Sequence, residues 1–278
     1  MSDKTIYFLA GLPRSGSTLL MNILAQNPVI HATPTSGILD MLVSVRNHWN
    51  QNEAFRAMDR DLSEGIKERV LRGMLQDYFA HVDQPICIDK NRIWTEYLEL
   101  AEVLVRGRQN VKVLITVRDL RDVLASFERL YRKTSALSQL AQESGTALKF
   151  KTATGRVEVF ADDAQPVGRA FNAIRDAVTR GWLDCMHFIE YEQLTRQPQQ
   201  TLSGIYDFLG IESYAHNFNY VEQVTVEDDF VYGFKDLHII RPKVEPQSSQ
   251  WQKTYDDTVI NTSIWKNIEG AAQFWKSY

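Results

Sequence analysis

Short apolar segments alternate with amphipathic ones along this chain. Four segments are rich in branched and aromatic residues, and each predicts a buried β-strand: Ile6–Ala10, Pro85–Ile88, Val111–Val117 and His187–Tyr191. Helical periodicity lies between them, over Ser17–Gln26, Leu62–Phe79, Thr95–Val105, Arg121–Tyr131 and Thr201–Leu209. The alternation predicts an α/β fold with a parallel central sheet flanked by helices. In such folds the functional site lies beyond the carboxyl ends of the strands.

Two stretches do not fit this alternation, residues 134–168 and residues 212–256. The first is polar and rich in small residues, and a hairpin is expected around Gly155. The second is irregular and contains Pro242 and Pro246. Both are long for connections in a compact domain. Each is therefore expected to be either a lid or substrate loop, or a mobile connection, within a single domain over residues 1–278.

Composition narrows the class of protein. The chain has 278 residues, of which 44% are hydrophobic and 24% charged, a composition that is ordinary for a globular protein. Its net charge of −4 argues against a nucleic-acid partner. No apolar run approaches the roughly 18 residues of a membrane span, and the first residues lack the order of a signal peptide. With two cysteines, Cys87 and Cys185, neither a disulfide scaffold nor a zinc site is expected. We therefore expect a cytoplasmic protein.

A glycine-rich loop follows the first predicted strand. The residues from Gly11 to Thr18, GLPRSGST, have the frame G-x-x-x-x-G-x-T and lead into a helix, so that backbone N–H groups and the positive helix end would face an anion. A loop for nucleoside triphosphates needs Lys after its second glycine, where this chain has Ser17, and Arg14 is the loop's only cation. We expect the loop to bind a phosphate-like group rather than Mg·ATP. The alternative is a glycine turn that merely joins strand to helix.

A second anion site is expected after the strand at 111–117. Arg118 stands at the end of that strand, and Ser126 follows eight residues later, about two turns into the next helix. The two side chains can converge on one phosphate if the strand turns directly into the helix. The alternative is that Arg118 pairs with Asp119 and that Ser126 is only a small residue in helix packing.

Together, GLPRSGSTLL and VRDLRDVLAS, about a hundred residues apart, resemble the motifs of sulfotransferases that use 3′-phosphoadenosine 5′-phosphosulfate (PAPS). The segment FIEYEQLTRQPQQTLSGIYDFLGI resembles a later signature of the same family, and the first loop looks most similar to bacterial members akin to tyrosylprotein sulfotransferases. The resemblance covers about residues 5–131 and 170–212. It implies that the 5′-phosphosulfate is held by Arg14, Ser15, Gly16, Ser17 and Thr18. It implies further that the 3′-phosphate is held by Arg118 and Ser126, and that the nucleotide contacts Tyr191.

Sulfuryl transfer needs cations at the transferring group and a base for the acceptor hydroxyl. Arg14 is expected at the 5′-phosphate or the sulfuryl group. Lys90 is expected to be the second cation, because it directly follows the second strand and matches the catalytic Lys of the tyrosylprotein enzymes; the alternative is a solvated side chain paired with Asp89. The sequence leaves two candidates for the base. Those enzymes carry Glu where this chain has TPTS, which leaves Asp40 and His31 as candidates.

Basic residues are also concentrated in GFKDLHIIRPKVEP. Lys235, His238 and above all Arg241 and Lys243 could close over the 3′-phosphate or the leaving group. The alternative is a solvated loop that balances the carboxylates at 227–229.

The expected reaction moves a sulfuryl group from PAPS to a hydroxyl acceptor, by in-line transfer and without a metal, and releases adenosine 3′,5′-bisphosphate. The expected acceptor is a peptide tyrosine, a small alcohol or a carbohydrate, and a homodimer is left open. Two other classes stay as alternatives: a P-loop kinase of a small metabolite, and a nucleotide-binding protein without catalytic activity.

Overall fold

The computed structural model describes residues 4–134 and 148–278. In this part of the chain, five parallel strands form one sheet in the order β2-β3-β1-β4-β5. The strands are β1 (Thr5–Gly11), β2 (Ile30–Thr35), β3 (Ile86–Lys90), β4 (Val113–Val117) and β5 (Met186–Glu190). The predicted α/β fold is confirmed, and β1, β3, β4 and β5 lie where the sequence pattern predicts strands.

The sequence pattern does not predict β2. Its sequence, IHATPT, is short and contains Pro34, which argues against a central strand. The structure places β2 at an edge of the sheet, where the strand is paired on one side only and a proline is tolerated. Its pairing with β3 shifts between Ala32 and Thr35, on either side of the proline. The strand brings Thr35 to the carboxyl end of the sheet.

Helices flank the sheet, and each predicted helical segment overlaps one of them. Their bounds are α1 (Ser17–Leu24), α2 (Ile38–Gln51), α3 (Glu53–Arg56), α4 (Arg60–Tyr78), α5 (Leu98–Leu104), α6 (Leu120–Thr134), α7 (Ala153–Ala161), α8 (Pro166–Thr179), α9 (Tyr191–Arg196), α10 (Pro198–Leu209), α11 (Trp251–Thr254), α12 (Asp257–Ile260) and α13 (Ser263–Gly270). In the described ranges, no helix is both long and apolar enough to cross a membrane.

Both faces of the sheet are covered by apolar side chains. Along β1 the side chains alternate between the two cores: Phe8 and Ala10 belong to one, and Tyr7 and Leu9 to the other. The Phe8 ring packs on Trp94, with ring centroids 4.2 Å apart. Because β1 is paired on both edges and buried on both faces, it anchors the glycine-rich loop that follows it.

The hairpin expected around Gly155 is wrong, because a helix lies there. Thr152 caps α7, and its Oγ1 accepts a hydrogen bond from the Gly155 N–H at 3.0 Å. A Cβ on Gly155 would lie 2.1 Å from the Lys149 carbonyl oxygen, so glycine serves close packing here rather than a turn. Pro166 then begins α8. Residues 135–147 of the same stretch lie outside the described residues.

The irregular course expected for residues 212–256 is confirmed up to α11, apart from one 3₁₀ turn at Asp229–Tyr232. This segment is nevertheless held against α1. The Asn22 Oδ1 accepts hydrogen bonds from the backbone N–H groups of Val224, at 2.6 Å, and Thr225, at 3.0 Å. The Asn22 amide also donates to the Thr225 hydroxyl at 2.8 Å. The segment therefore forms one wall of the space above the carboxyl ends of the strands.

Candidate active site

A cavity of about 540 Å³ lies beyond the carboxyl ends of the strands. Its lining comes from the loop after β1, the end of β3, the start of α6, the start of α9 and the irregular C-terminal segment. Of the residues expected at the site, those that line the cavity are Arg14, Gly16, Ser17, Thr18, Lys90, Arg118, Ser126, Tyr191, His238, Arg241 and Lys243. Lysine and arginine side chains dominate the charged lining, which fits an anionic ligand.

The backbone of the glycine-rich loop needs glycine at two places. Gly11 has φ +136°, and a Cβ there would lie 2.2 Å from the Thr116 carbonyl oxygen. Gly16 has φ +87°, and its Cβ would lie 2.6 Å from the Tyr191 ring. Helix α1 begins at Ser17, directly after this turn. The loop therefore presents the amino end of α1 to the cavity, as an anion-binding loop does.

Ser15 supports the loop from behind. It is buried and does not line the cavity, and its hydroxyl is engaged with the Leu12 carbonyl and with Thr116 Oγ1, the latter at 2.8 Å. The contact joins the loop to β4. Its side chain is thus committed to holding the loop in place.

The residues expected at the second anion site converge. The Arg14 Nε donates to Ser126 Oγ at 3.1 Å, and Arg118 Nη1 donates to the Arg14 carbonyl oxygen at 3.3 Å. Arg14 also donates to the Leu237 carbonyl. The Arg118 guanidinium lies 4.4 Å from the centroid of the Tyr191 ring. The loop after β1 and the start of α6 therefore form one site.

The alternative pairing of Arg118 with Asp119 is not what the structure shows. Asp119 binds Arg121, through Oδ1 to Nε at 2.9 Å and Oδ2 to Nη2 at 2.7 Å. The carboxylate that approaches Arg118 is Glu192, at 3.7 Å from Nε. That nitrogen is buried and has no hydrogen-bond partner within the described part of the chain. Arg118 thus keeps donor capacity at the cavity.

Positive charge is concentrated at this end of the cavity. Burial and the nearby Arg118 charge lower the pKa of Arg14 to about 10, and burial together with Arg118 also lowers the pKa of Arg129. Both shifts arise because burial and like charge disfavour the charged form. An anion bound between these side chains would relieve the repulsion.

Lys90 lies at the end of β3, on the side of the cavity towards the C-terminal segment. Its Nζ is 3.2 Å from Glu227 Oε2 and 3.5 Å from the Thr18 hydroxyl. The Asp89 side chain does not pair with it: Asp89 Oδ1 accepts a hydrogen bond from Trp94 Nε1 at 2.7 Å, and burial raises the pKa of Asp89 to about 6. Lys90 is therefore a buried cation between the loop and Glu227, not a solvated lysine.

Glu227, Asp229 and His238 of the C-terminal segment form a polar cluster beside Lys90. Sequence reasoning named His238 as a side chain that could close over the phosphate or the leaving group, but it missed the two carboxylates and the cluster itself. His238 Nδ1 lies 2.6 Å from Asp229 Oδ1 and 3.7 Å from Glu227 Oε2. The signal was present in the acidic run at 227–229 and in His238, but charge balance in a solvated loop explains the same pattern. Only the fold brings these groups to Lys90.

Besides Ser15, three candidate site residues from the sequence analysis are not part of the cavity lining: His31, Asp40 and Lys235. The His31 ring on β2 lies 6.1 Å from the Phe79 ring, between centroids. Asp40 is exposed on α2. The structure thus does not bring either candidate base into the cavity.

Comparison with known proteins agrees with this geometry. A sulfotransferase family model matches residues 7–216. Protein-tyrosine sulfotransferase 2 of Gallus gallus is 25% identical over 212 residues, covering 75% of this chain and 52% of that protein. The chain spans 38–52% of the length of the curated relatives it matches.

Solved structures share the fold. The sulfotransferase domain from the curacin biosynthetic pathway superposes with a TM-score of 0.58 at 18% identity, covering 99% of this chain and 98% of that one. Mouse sulfotransferase SULT7A1, complexed with PAP, gives a TM-score of 0.50 at 14% identity, covering 98% and 90%. With a glycine-rich anion loop on a parallel α/β sheet and a matching family model, the chain belongs to the sulfotransferase family.

Proposed function

We propose that this protein transfers a sulfuryl group from PAPS to a hydroxyl acceptor and releases adenosine 3′,5′-bisphosphate. The observation that carries the proposal is one cavity lined by two sets of side chains: Arg118 and Ser126, joined through Arg14, and Lys90 beside Thr18. A donor with a phosphate at one end and a phosphosulfate at the other matches this arrangement. The small-metabolite kinase is not favoured, because Ser17 stands in the place of the phosphate-binding lysine and the family is one of sulfotransferases.

The donor is proposed to lie along the glycine-rich loop. Backbone N–H groups and hydroxyls of Gly16, Ser17 and Thr18 would hold the 5′-phosphosulfate, with Ser15 fixing the loop. Arg118 and Ser126 would hold the 3′-phosphate, and the Tyr191 ring would contact the nucleotide. Arg241 and Lys243 line the same cavity from the exposed C-terminal segment and would close over it. PAP in the mouse neighbour supports this class of donor.

The transfer is proposed to be in line and to need no metal. The acceptor oxygen forms a bond to sulfur while the bond from sulfur to the 5′-phosphate oxygen breaks, and the electron pair goes to that phosphate. Lys90 would stabilise the charge that develops there, and Arg14 would support the phosphate. Preorganised cations of this kind act strongly in a buried site because no solvent has to rearrange.

The proposed acceptor is a peptide tyrosine, a small alcohol or a carbohydrate. Tyrosine and carbohydrate sulfotransferases are both among the relatives, which supports a hydroxyl group without choosing between them. We extend the proposal to three expectations from the sequence: that the protein is cytoplasmic, that it is bacterial and that it forms a homodimer.

Calorimetric titration with adenosine 3′,5′-bisphosphate, beside Mg·ATP, tests the donor site. Micromolar binding of the bisphosphate that does not depend on Mg²⁺ is the expected result. Tight binding of Mg·ATP with none of the bisphosphate would instead favour the kinase.

A further inference from the structure

Asp229 holds His238 at two points. One carboxylate oxygen, Oδ1, lies 2.6 Å from the ring Nδ1, and the other, Oδ2, accepts the backbone N–H of His238 at 3.0 Å. A carboxylate can only accept, so Nδ1 must carry the proton. The ring is therefore fixed in the tautomer that leaves the lone pair of Nε2 available to accept a proton.

His238 also lines the cavity, near Lys90, the cation expected at the transferring sulfuryl group. The charged and titratable groups that face it are Lys90, Glu227, Asp229 and Tyr232, whose ring centroid lies 5.4 Å from that of His238. Burial and the Lys90 charge lower the pKa of His238, and they outweigh the two carboxylates, which act in the opposite direction. Burial and the Lys90 charge therefore favour the neutral imidazole, the form that a base requires.

Glu227 is poorly placed for the same task. Burial acts to raise its pKa, but the Lys90 ammonium and hydrogen bonds outweigh burial and lower it. Its Oε2 is engaged with Lys90 at 3.2 Å, and its side chain does not line the cavity. A carboxylate so stabilised as an anion has little tendency to take up a proton.

We propose that His238 is the general base of the reaction and that Asp229 is its positioning residue. This inference rests on the proposed sulfuryl transfer. The proton of the acceptor hydroxyl goes to His238 Nε2 as the acceptor oxygen forms its bond to sulfur. The bond from sulfur to the phosphate breaks at the same time, and its electrons stay on the released bisphosphate. The base thus comes from the C-terminal segment and not from the turn after β2.

The tautomer can be measured without any acceptor. In protein labelled with ¹⁵N-histidine, the His238 signals are assigned by their loss in His238→Gln. The expected result at neutral pH is a neutral ring with the proton on Nδ1, a pKa below the usual value of about 6.5, and loss of the single tautomer in Asp229→Asn. A charged ring at neutral pH, or a proton on Nε2, would overturn the proposal.

Acceptors of different acidity separate a base from a structural residue. With PAPS as donor, His238→Gln should lower turnover of phenol, whose pKa resembles that of tyrosine at about 10, by about 10²–10⁴-fold. Turnover of 4-nitrophenol, which is far more acidic than phenol and is present in good part as the phenolate at neutral pH, should change much less because the phenolate needs no base. Asp229→Asn should lower the turnover of phenol less than His238→Gln does, again with a much smaller effect on 4-nitrophenol. His81→Gln, which changes an exposed histidine, should leave the turnover of both phenols unchanged. An equal loss with both phenols would contradict the role of base.

Binding of adenosine 3′,5′-bisphosphate separates this inference from the proposed function. His238→Gln should bind it like the unaltered protein, because the base is placed at the acceptor. If the unaltered protein fails to bind it, the sulfotransferase proposal fails whatever the histidine tautomer is. If binding is intact but neither phenol is turned over, the tautomer measurement alone decides whether His238 is poised as a base.

Discussion

The Lys90 ammonium lies 3.2 Å from the Glu227 carboxylate, and only 5% and 6% of the two side chains are exposed. The pair joins the end of β3 to a segment that follows it by more than a hundred residues. Burial lowers the pKa of Lys90, and the Glu227 charge acts in the opposite direction by favouring the ammonium form. The donor's phosphosulfate would reach Lys90 as a second anion beside Glu227.

Lys90→Ala is expected to lower turnover of PAPS by about 10²–10³-fold, the scale of a lost transition-state contact. Affinity for adenosine 3′,5′-bisphosphate should change far less, because that product lacks the sulfuryl group. Steady-state release of the bisphosphate measures the first effect, and calorimetry measures the second.

The same variant leaves Glu227 buried without its partner, which costs about 3–5 kcal/mol of stability. The double variant Lys90→Ala with Glu227→Gln removes that unpaired charge and serves as the matched control. It should regain thermal stability without regaining turnover. Recovery of turnover in the double variant would show that Lys90 is needed only to neutralise Glu227.

Arg118→Ala should weaken binding of adenosine 3′,5′-bisphosphate by about 10–150-fold, which corresponds to the roughly 1.5–3 kcal/mol of a hydrogen bond to a charged group. At saturating PAPS its turnover should be closer to normal than that of Lys90→Ala. Arg108→Ala is the control: Arg108 also pairs with a carboxylate and lies over an aromatic ring, but it does so at Asp184 and Trp182, away from the cavity. Equal losses in the two variants would argue against a specific phosphate site.

Gly16→Ala should abolish measurable donor binding. The added Cβ would meet the Tyr191 ring at 2.6 Å, and the backbone at φ +87° strains any residue with a side chain. Gly73→Ala, in the middle of α4 with nothing within 4 Å of its Cβ, should bind normally and be slightly stabilised. Calorimetric titration of both variants makes the comparison, and normal binding by Gly16→Ala would contradict the fitted loop.

A buried ion pair away from the cavity joins α6 to α7. Glu128 is fully buried and receives both Arg156 Nε and Arg156 Nη2 at 2.7 Å, with Arg132 Nε also at 2.7 Å. Arg156→Met should cost about 3–5 kcal/mol. Arg132→Met, which removes a side chain that is 55% exposed, should cost at most about 1 kcal/mol. Thermal unfolding at neutral pH measures both, and equal losses would contradict the ranking.

The same pair predicts a pH dependence of stability. Burial acts to raise the pKa of Glu128, but the hydrogen bonds from Arg156 and Arg132 outweigh it and lower the pKa. The stabilisation is therefore complete above the pKa of an unfolded glutamate, about 4.3, and is lost as pH falls through the lower folded-state pKa. The difference in melting temperature between the unaltered protein and Arg156→Met should shrink over that acidic range. A difference that grows on acidification would show the sign to be wrong.

Much of the fold follows from local sequence patterns. The apolar runs at β1, β3 and β4 and the helical periodicity of α6 and α10 are strong enough to predict the sheet and its class. Strand β2 is not predicted because Pro34 and its polar neighbours are tolerated only in an edge strand. Whether a strand lies at the edge depends on the arrangement of the whole sheet and not on its own sequence. The hairpin prediction at Gly155 is wrong because glycine is favoured both in turns and where the backbone packs closely, and the sequence does not distinguish the two.

Some residues of the site are likewise predictable from local sequence, and others are not. Lys90 ends β3, Arg118 directly follows β4, and Arg14 lies in the glycine-rich loop after β1. These residues are predictable because the carboxyl ends of the strands meet at one edge of a parallel sheet. Glu227, Asp229 and His238 lie in a segment without periodicity, so nothing local predicts where they fold. Their place depends on long-range contacts such as those of Asn22.

Sulfuryl transfer itself is the measurement that tests the central claim most directly. The purified protein is incubated with PAPS and a panel of tyrosine peptides, sugars and simple alcohols, and mass spectrometry follows sulfated products and adenosine 3′,5′-bisphosphate together. The expected result is equimolar appearance of both, independent of Mg²⁺ and lowered by about 10²–10³-fold in Lys90→Ala. No release of bisphosphate from PAPS, together with transfer of phosphate from Mg·ATP, would contradict the claim.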